Sequence, residues 1–460
     1  MISRIRRHPH VVRATRVLRI WRLAIRNGWR WLTHKTRRAV ARQQRRQELD
    51  EQFAIRSATD VARELGNMKG VLMKVGQLMS FIYEALPDNA QQALATLQAD
   101  APPMSPSAAA AVVREELGMS PQRAFLDWTD VPIAAASIGQ VHRAVSRDGR
   151  EVAVKVQYPG IESAITADLD NAESLYRMAA AVMMKGLDPK GLVDELRDRM
   201  GDELDYRIEA TNQTEFVRAF AGHPMIRVPA VVAATSTKRV LTTEWADGWS
   251  WNEFVERSSP ATKSVCGEVV WRFAQHSVHR LGRFNGDPHP GNYRFHADGS
   301  VTFLDYGLVK TWSPGEWSRL APTLDAIIVN RDAERLVAAM EEAGFLRDGH
   351  GLRPDDIYTY VSAPYRPYLS DEFTFTRDFV KLALQQVIDV NGPYSHVIKQ
   401  LNMPPSFVIL DRVVWGVSAI LGKLNVTAPF RAMLMEYVAD APPATELGVI
   451  ERDWRLTGRS

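Results

Sequence analysis

Apolar residues recur at helical spacing from Val61 to Ile82, at Val61, Leu65, Met68, Leu72, Met73, Val75, Leu78, Met79 and Ile82. That period predicts an amphipathic helix, closed at or shortly before Pro87. The run Ala101-Pro102-Pro103-Met104-Ser105-Pro106 reads as a linker, and Ser107 is placed to cap a helix that finishes near Gly118. The period then shortens. Val141 to Ala144 and Glu151 to Val156 read as strands, and Asp148-Gly149 between them accepts positive φ, so the pair predicts a β-hairpin. Helical spacing returns over about 161 to 185 and about 190 to 220. A β-rich stretch follows, with Val228 to Val232 and Arg239 to Glu244 as its strands. A helix over about 261 to 281 leads into a Pro/Gly-rich loop, a short strand, an Asp298-Gly299 turn and a strand from Val301 to Leu304. Beyond about residue 313 the pattern is mainly helical, and no internal repeat is found.

With 460 residues, 45% apolar and 24% charged, the chain can bury a full core and should hold two or three packed units. Its single cysteine, Cys266, cannot form an internal disulfide, which points to a reducing compartment and gives no reason to expect a catalytic thiol. The net charge of +3 conceals an asymmetry: residues 1–50 hold 15 Lys and Arg against Glu48 and Asp50, so this arm carries +13 and the rest −10. Ile20, Trp21, Leu23, Ile25, Trp29 and Trp31 sit there among Arg19, Arg22, Arg26 and Arg30, a mixture suited to an anionic lipid surface. A solvated basic leader fits the same residues, and nucleic acid fits them less well. Arginines interrupt every apolar stretch before a secretory h-region forms, although an Arg-rich, acid-poor leader also suits an organellar transit peptide. No apolar run reaches the ~18 residues of a membrane span. Val413 to Leu421 is better read as core helix, so the expected location is cytoplasmic and peripheral on a membrane, with an organelle still open.

The chemistry begins at Lys155 in Val152-Ala153-Val154-Lys155. A strand lysine in this arrangement is how kinases place one ammonium over a nucleotide's phosphates, though alone it is an ordinary strand residue. The preceding loop, Ala134-Ala135-Ala136-Ser137-Ile138-Gly139-Gln140-Val141, has the spacing of a kinase phosphate loop with Ala134 and Ala136 where two glycines would stand. Backbone N–H groups can still cradle phosphate there, but alanine lacks glycine's access to positive φ, so a stiffer loop is expected. The strongest signal is Asp287-Pro288-His289-Pro290-Gly291-Asn292 followed by Leu304-Asp305-Tyr306-Gly307. In the kinase template a catalytic Asp and an Asn five residues later precede a D-F-G, and the Asn and second Asp hold the metal. Asn292 and Asp305 offer hard oxygen donors, which suit magnesium. His289 reads as a loop residue making hydrogen bonds. For the carboxylate that pairs with Lys155, Gly201 to Ala210 offers several candidates, of which Glu209 is preferred; Asp205 and Glu209 are expected on one helix face.

Together these residues resemble the AarF/UbiB family of atypical protein-kinase-like ATPases over about residues 60 to 312. Lys74-Val75-Gly76-Gln77 looks like its K-x-G-Q motif, Ala134 to Ser137 like its alanine-rich loop, and Glu203-Leu204-Asp205 like its E-x-D motif. The resemblance implies an α+β, two-lobed protein-kinase-like fold with an N-terminal helical extension and a helical C-terminal region. Expected boundaries are a basic arm at 1–50, an extension at 51–125 carrying Lys74 and Gln77, a small lobe at 126–245, a large lobe at 246–350 and C-terminal helices at 351–460. ATP and Mg2+ are the implied cofactors. Ala134, Ala135, Ala136, Ser137, Gly139, Val141, Lys155 and Glu244 are the nucleotide set, Asn292 and Asp305 the metal set, and Asp287, Lys155 and Glu209 the catalytic set.

The resemblance further implies that the Lys74 and Gln77 helix meets Glu203 and Asp205 over the site, which disfavours protein substrates. It points to slow ATP hydrolysis or phosphorylation of a small or lipidic molecule in support of ubiquinone or related quinone metabolism. An anionic membrane surface, an isoprenoid or quinone lipid and quinone-pathway proteins are the implied partners. Asn285-Gly286 replaces the His-Arg of protein kinases, Tyr306 replaces Phe, and no A-P-E segment follows. Two rival readings remain: a phosphotransferase of the aminoglycoside-kinase type, whose G-D-x-x-x-x-N loop Gly286 to Asn292 also resembles, and a nucleotide-sensing membrane scaffold without useful turnover.

Overall fold

The computed structural model of the chain describes residues 104–136, 138–163, 165, 201–347, 349–389 and 392–457. The basic arm, the helix expected over 61–82 with Lys74 and Gln77, and Ser137 lie outside the described residues. The chain divides into two units, one comprising 1–108, 132–140 and 157–200, the other 109–131, 141–156 and 201–460.

Helix α1, Pro106–Leu117, ends at Gly118, whose φ of 71° is the left-handed conformation that stops a helix. The expected cap at Ser107 is corrected by two residues: Ser107 lies inside the helix, and Ser105 precedes it with its hydroxyl accepting the Ala108 N–H at 3.3 Å. Strands β1, Asp127–Trp128, and β2, Ala134–Ala136, are short. They are followed by the hairpin strands β3, Gly139–Val145, and β4, Glu151–Gln157. The turn between these two closes as the sequence suggests, with Gly149 at φ 86° and the Gly149 N–H on the Ser146 carbonyl at 2.9 Å. Alternation along β4 buries Val152, Val154 and Val156 completely, so Lys155 leaves from the opposite face.

Helix α2, Tyr206–Ala219, precedes β5, Ile226–Arg227, and β6, Val240–Glu244. One sheet runs in the order β1-β3-β4-β6, and β6 fixes the register of β4 by pairing Leu241 with Lys155. The strand expected over 228–232 is shorter and earlier: β5 ends at Arg227, and Val231 makes only an isolated bridge to Thr243.

Helices α3, Trp251–Arg257, and α4, Pro260–His276, begin the helical body, and α4 continues as a π turn over Ser277–Leu281. Four short strands come next: β7, Arg283–Asn285; β8, Tyr293–Phe295; β9, Val301–Phe303; and β10, Val309–Thr311. Strand β9 lies between β8, antiparallel, and β5, parallel, while β10 pairs antiparallel with β7. These pairings hold residues 286–292 and 304–308 as two adjacent loops.

Among the helices that follow are α5, Glu316–Asp325; α6, Ala333–Glu342; α7, Pro354–Val361; α8, Arg377–Ile388; α9, Pro405–Leu424; α10, Phe430–Val438; and α11, Glu446–Thr457. One hydrophobic cluster runs from Phe216 and Phe273 through Phe303 and Leu336 to Val417, Met433 and Leu447. Residues beyond 350 therefore complete the same core as the strands and helices before them. Among the described residues no helix is long and apolar enough to cross a membrane.

Candidate active site

Strand β4 and helix α2 bring Lys155 and Glu209 together. The ammonium donates to both carboxylate oxygens, at 3.0 and 2.9 Å, and lies 3.6 Å from Asp305. The Tyr206 ring is 5.1 Å from the same nitrogen. The Lys155 and Glu209 side chains are only 18% and 7% exposed, so neither charge would be tolerated without the other. Burial opposes the ammonium, but Asp305 and then Glu209 outweigh it and hold the Lys155 pKa well above the ordinary lysine value. Burial also pushes Glu209 upward against the pull of Lys155, while the two-pronged contact is the geometry of the ionised pair.

The loop after β7 carries Asp287 and Asn292. The Asn292 amide donates to the Asp287 side chain at 2.9 Å and to its backbone carbonyl at 3.3 Å, which folds the six-residue segment back on itself. His289 accepts the Gly291 N–H at 3.1 Å, the loop role expected of it. Asp305 follows β9; its carboxylate accepts the Gly307 N–H at 2.9 Å and stays 35% exposed. The Tyr306 ring is fully buried 4.8 Å from Phe216, and the Asn212 amide on α2 donates to the Tyr306 carbonyl at 3.2 Å. Helix α2 thus fixes both Lys155, through Glu209, and the Asp305 loop.

Other residues singled out in the sequence stand elsewhere. Asp205 corrects one expectation: it does not share a helix face with Glu209 but precedes α2 as its N-cap. It accepts the Arg207 N–H at 3.0 Å and pairs with the Arg207 guanidinium. Glu203 is near enough to help raise Glu209 and Tyr206. Glu244 ends β6 with its carboxylate on Arg150 at 2.9 Å and on the Ala230 N–H at 3.1 Å. Val141 lies on β3. In the other unit, Ala134, Ala135 and Ala136 are strand β2, where extended backbone costs alanine nothing, and Gly139 begins β3 without positive φ. The Tyr158 N–H donates to the Ile138 carbonyl at 2.9 Å and closes that loop.

Two residues of the site were not anticipated. Asn285 ties the loops together, since its oxygen accepts the Asp287 N–H at 2.8 Å and its amide donates to the Asp305 carbonyl at 2.5 Å. Its position just before Asp287 was visible only as a departure from the kinase pattern. The second is Arg412 on α9, whose guanidinium pairs with Asp287 across 125 residues of chain. Ile409, Arg412 and Gly416 share one face of α9, and that face lies along residues 286–288. A Cβ on Gly286 would come within 2.8 Å of Ile409, and one on Gly416 would collide with Pro288. No local spacing in the sequence announces such a contact.

Beside Arg412, Asp411 accepts from the Trp415 indole at 3.2 Å, and burial pushes its pKa up to about 7. An acid raised on folding takes up a proton, so its charged form costs stability as pH climbs from the ordinary aspartate range of about 4 through 7. Asp411→Asn keeps the acceptor for Trp415 and should change stability little at pH 3, below both pKa values, while adding stability at pH 8. Urea unfolding at the two pH values checks this; an equal change at both would refute it.

Asn292 and Asp305 supply amide and carboxylate oxygen with no thiolate in the set, which fits magnesium and not a soft metal. Among the described residues no group of three or more His, Cys, Asp or Glu could hold an ion by itself. Magnesium does not need one, because it keeps several waters and takes the remainder from phosphate.

A lysine pinned by a helix-borne glutamate, with an Asp…Asn loop facing a second Asp, defines an atypical kinase-like protein. Comparison agrees: residues 96–340 match the ABC1 atypical kinase-like domain. The chain belongs to this family, the AarF/UbiB-like atypical kinases. It is 30% identical to the chloroplastic Protein ACTIVITY OF BC1 COMPLEX KINASE 1 of Arabidopsis thaliana, over 79% of this chain and 55% of that protein. It is also 30% identical to the mitochondrial atypical kinase COQ8B of Rattus norvegicus, over 63% of this chain and 55% of that protein. Such curated relatives are longer, and the chain spans between 37% and 66% of their length. Among solved structures it resembles Rv3197 of Mycobacterium tuberculosis, determined in complex with erythromycin, with 33% identity and a TM-score of 0.61 over 81% of this chain and 93% of that one. The kinase-like fold expected from the sequence is thereby shown, and with it the potential for kinase or ATPase catalysis.

Proposed function

We propose that the protein is a magnesium-dependent ATPase or kinase that works on or beside membrane isoprenoid lipids in support of quinone metabolism. The observation that carries the catalytic part is the cluster of Lys155, Glu209 and Asp305 facing the Asp287 to Asn292 loop. In this reading Glu209 fixes the Lys155 ammonium where it meets nucleotide phosphates, and Asp287 orients the attacking oxygen and receives its proton. Asn285 keeps the two loops in register so that Asn292 and Asp305 converge. A bound magnesium ion would neutralise charge on the phosphoryl oxygens, and catalysis would come mainly from positioning, since a loose transition state needs little covalent help.

The quinone and lipid part rests on kinship with kinases implicated in quinone metabolism and on the basic, tryptophan-rich arm of residues 1–50. The family match also favours this reading over an aminoglycoside-kinase type. The test is magnesium-dependent ATP hydrolysis by the purified full-length chain, with and without anionic liposomes. Turnover stimulated by the liposomes is expected. Nucleotide binding without turnover in either condition would overturn the enzyme reading in favour of a nucleotide-sensing scaffold.

A further inference from the structure

Asp287 is held by three separate elements. Asn285 at the end of β7 accepts its backbone N–H at 2.8 Å, the Asn292 amide at the end of the loop reaches Oδ2 at 2.9 Å, and Arg412 on α9 pairs with Oδ1. Each carboxylate oxygen therefore has its own donor, and with the backbone contact they fix how the plane of the group is turned. The Asp287 side chain is still 28% exposed, so the clamped carboxylate keeps an open side.

Stability does not account for the third member of this clamp. The Arg412 side chain is 6% exposed, and its Nε and Nη1 groups are buried with no hydrogen-bond partner among the described residues. Donors in that state lose their hydration without compensation, and a buried ion pair is often no more stable than apolar residues of the same volume. Nor does α9 need the pair to find its place. Ile409 and Gly416 lie one turn to either side of Arg412 on the same face, where a Cβ on Gly286 would come within 2.8 Å of Ile409 and one on Gly416 would collide with Pro288. Shape seats the helix, and the guanidinium rides on it to a fixed position beside Asp287.

Resting on the ATP reading above, we propose that Arg412 is a positioning residue for Asp287: it turns the carboxylate toward the attacking oxygen and takes no part in binding the nucleotide. Asn292 alone holds one oxygen and leaves the group free to swing about that contact. The guanidinium, delivered from a helix 125 residues downstream, removes the remaining freedom. A misplacement of about 1 Å at a reacting centre costs roughly 10²-fold in rate, which is the scale on which such a clamp acts.

The test is magnesium-dependent ATP turnover by the full-length chain. Arg412→Met should lower kcat by about 10- to 100-fold and change KM for ATP by less than about twofold. The decisive comparison repeats the substitution in an Asp287→Asn background, where there is no carboxylate left to aim. There it should lower the residual turnover, read in single-turnover reactions with excess enzyme, by less than about twofold. A residue that only supported the fold would lower turnover alike in both backgrounds. If Arg412→Met does not fold because it strands Asp287, Arg412→Ala, which leaves space for water beside the carboxylate, takes its place in the same comparison. Equal losses in the two backgrounds, a kcat unchanged or raised, or a loss confined to KM would overturn the proposal. A wild-type chain without turnover, or an Asp287→Asn variant as active as wild type, would instead overturn the ATP reading itself, and this inference with it.

Discussion

Asp305→Asn should lower magnesium-dependent ATP turnover by about 10²- to 10³-fold, the scale on which preorganised charge in an active site acts. Asparagine still presents an oxygen to the Gly307 N–H, so the bond at 2.9 Å that shapes the loop can persist. The buried Tyr306 anchor and the Asn212 contact to its carbonyl do not involve the side chain being changed. What disappears is one negative charge 3.6 Å from Lys155, on the face where a metal would be held. Asp305 raises the pKa of Glu209 but also helps hold the buried Lys155 ammonium charged, so removing its charge takes away a repulsion and an attraction together. Thermal stability should therefore change by no more than about 1 kcal/mol, well short of unfolding the chain. Turnover equal to wild type would refute the assignment of Asp305. Lost turnover accompanied by lost structure would refute the claim that its role is separable from folding.

The largest loss of stability is expected within the helical body, from Arg272→Leu. Arg272 is 3% exposed and holds Glu268 at 2.7 Å, Glu436 at 2.9 Å and Glu451 at 3.2 Å. His276 and Tyr437 complete the arrangement on the Glu451 carboxylate. An apolar residue at 272 would strand three acidic groups with little water, and breaking a buried pair from one side costs about 3–5 kcal/mol. The variant should unfold at markedly lower urea concentration than wild type, and Glu451→Gln should lose less, since Arg272 keeps two other partners. Burial opposes ionisation of Glu451, but bonds from His276 and Tyr437 prevail and hold its pKa down to about 2. A depressed acid stabilises the folded state above its unfolded pKa of about 4.5 and loses that contribution as pH falls toward 2. Wild-type stability should decline over that window. A Glu451→Gln variant that declines just as steeply would show that the carboxylate is not responsible.

What could be read from the sequence follows from the range over which each signal acts. The β3–β4 hairpin, the Asp298-Gly299 turn and the two loops bearing Asp287, Asn292 and Asp305 are specified by residues within a few positions of one another, and all lie where the spacing puts them. The approach of Glu209 to Lys155 spans 54 residues, and it could be named only because a template says what a strand lysine needs. Asp205 was misplaced because helical spacing does not show where a helix starts, and its side chain found a backbone donor two residues on. Helix α9 is apolar around most of its circumference, so periodicity offers no way to tell which side meets the core and which side meets residues 286–288. Arg412 interrupts that apolar run and is the visible irregularity, but its partner could come only from three dimensions.

The separation between Arg412 and Asp287 has a consequence for when the protein becomes competent. A ribosome completes strands β1 to β10, both loops and the Lys155 to Glu209 pair well before it reaches Arg412 on α9, 125 residues beyond Asp287. A nascent chain at that stage holds Asp287 and Asn292 in their loop without the Arg412 guanidinium, and the flank beside Gly286 and Pro288 lacks its α9 neighbour. Seating α9 closes that flank and delivers the guanidinium in a single event. The order of synthesis thus makes the Asp287 ion pair a late acquisition, withheld until the helical body is nearly whole.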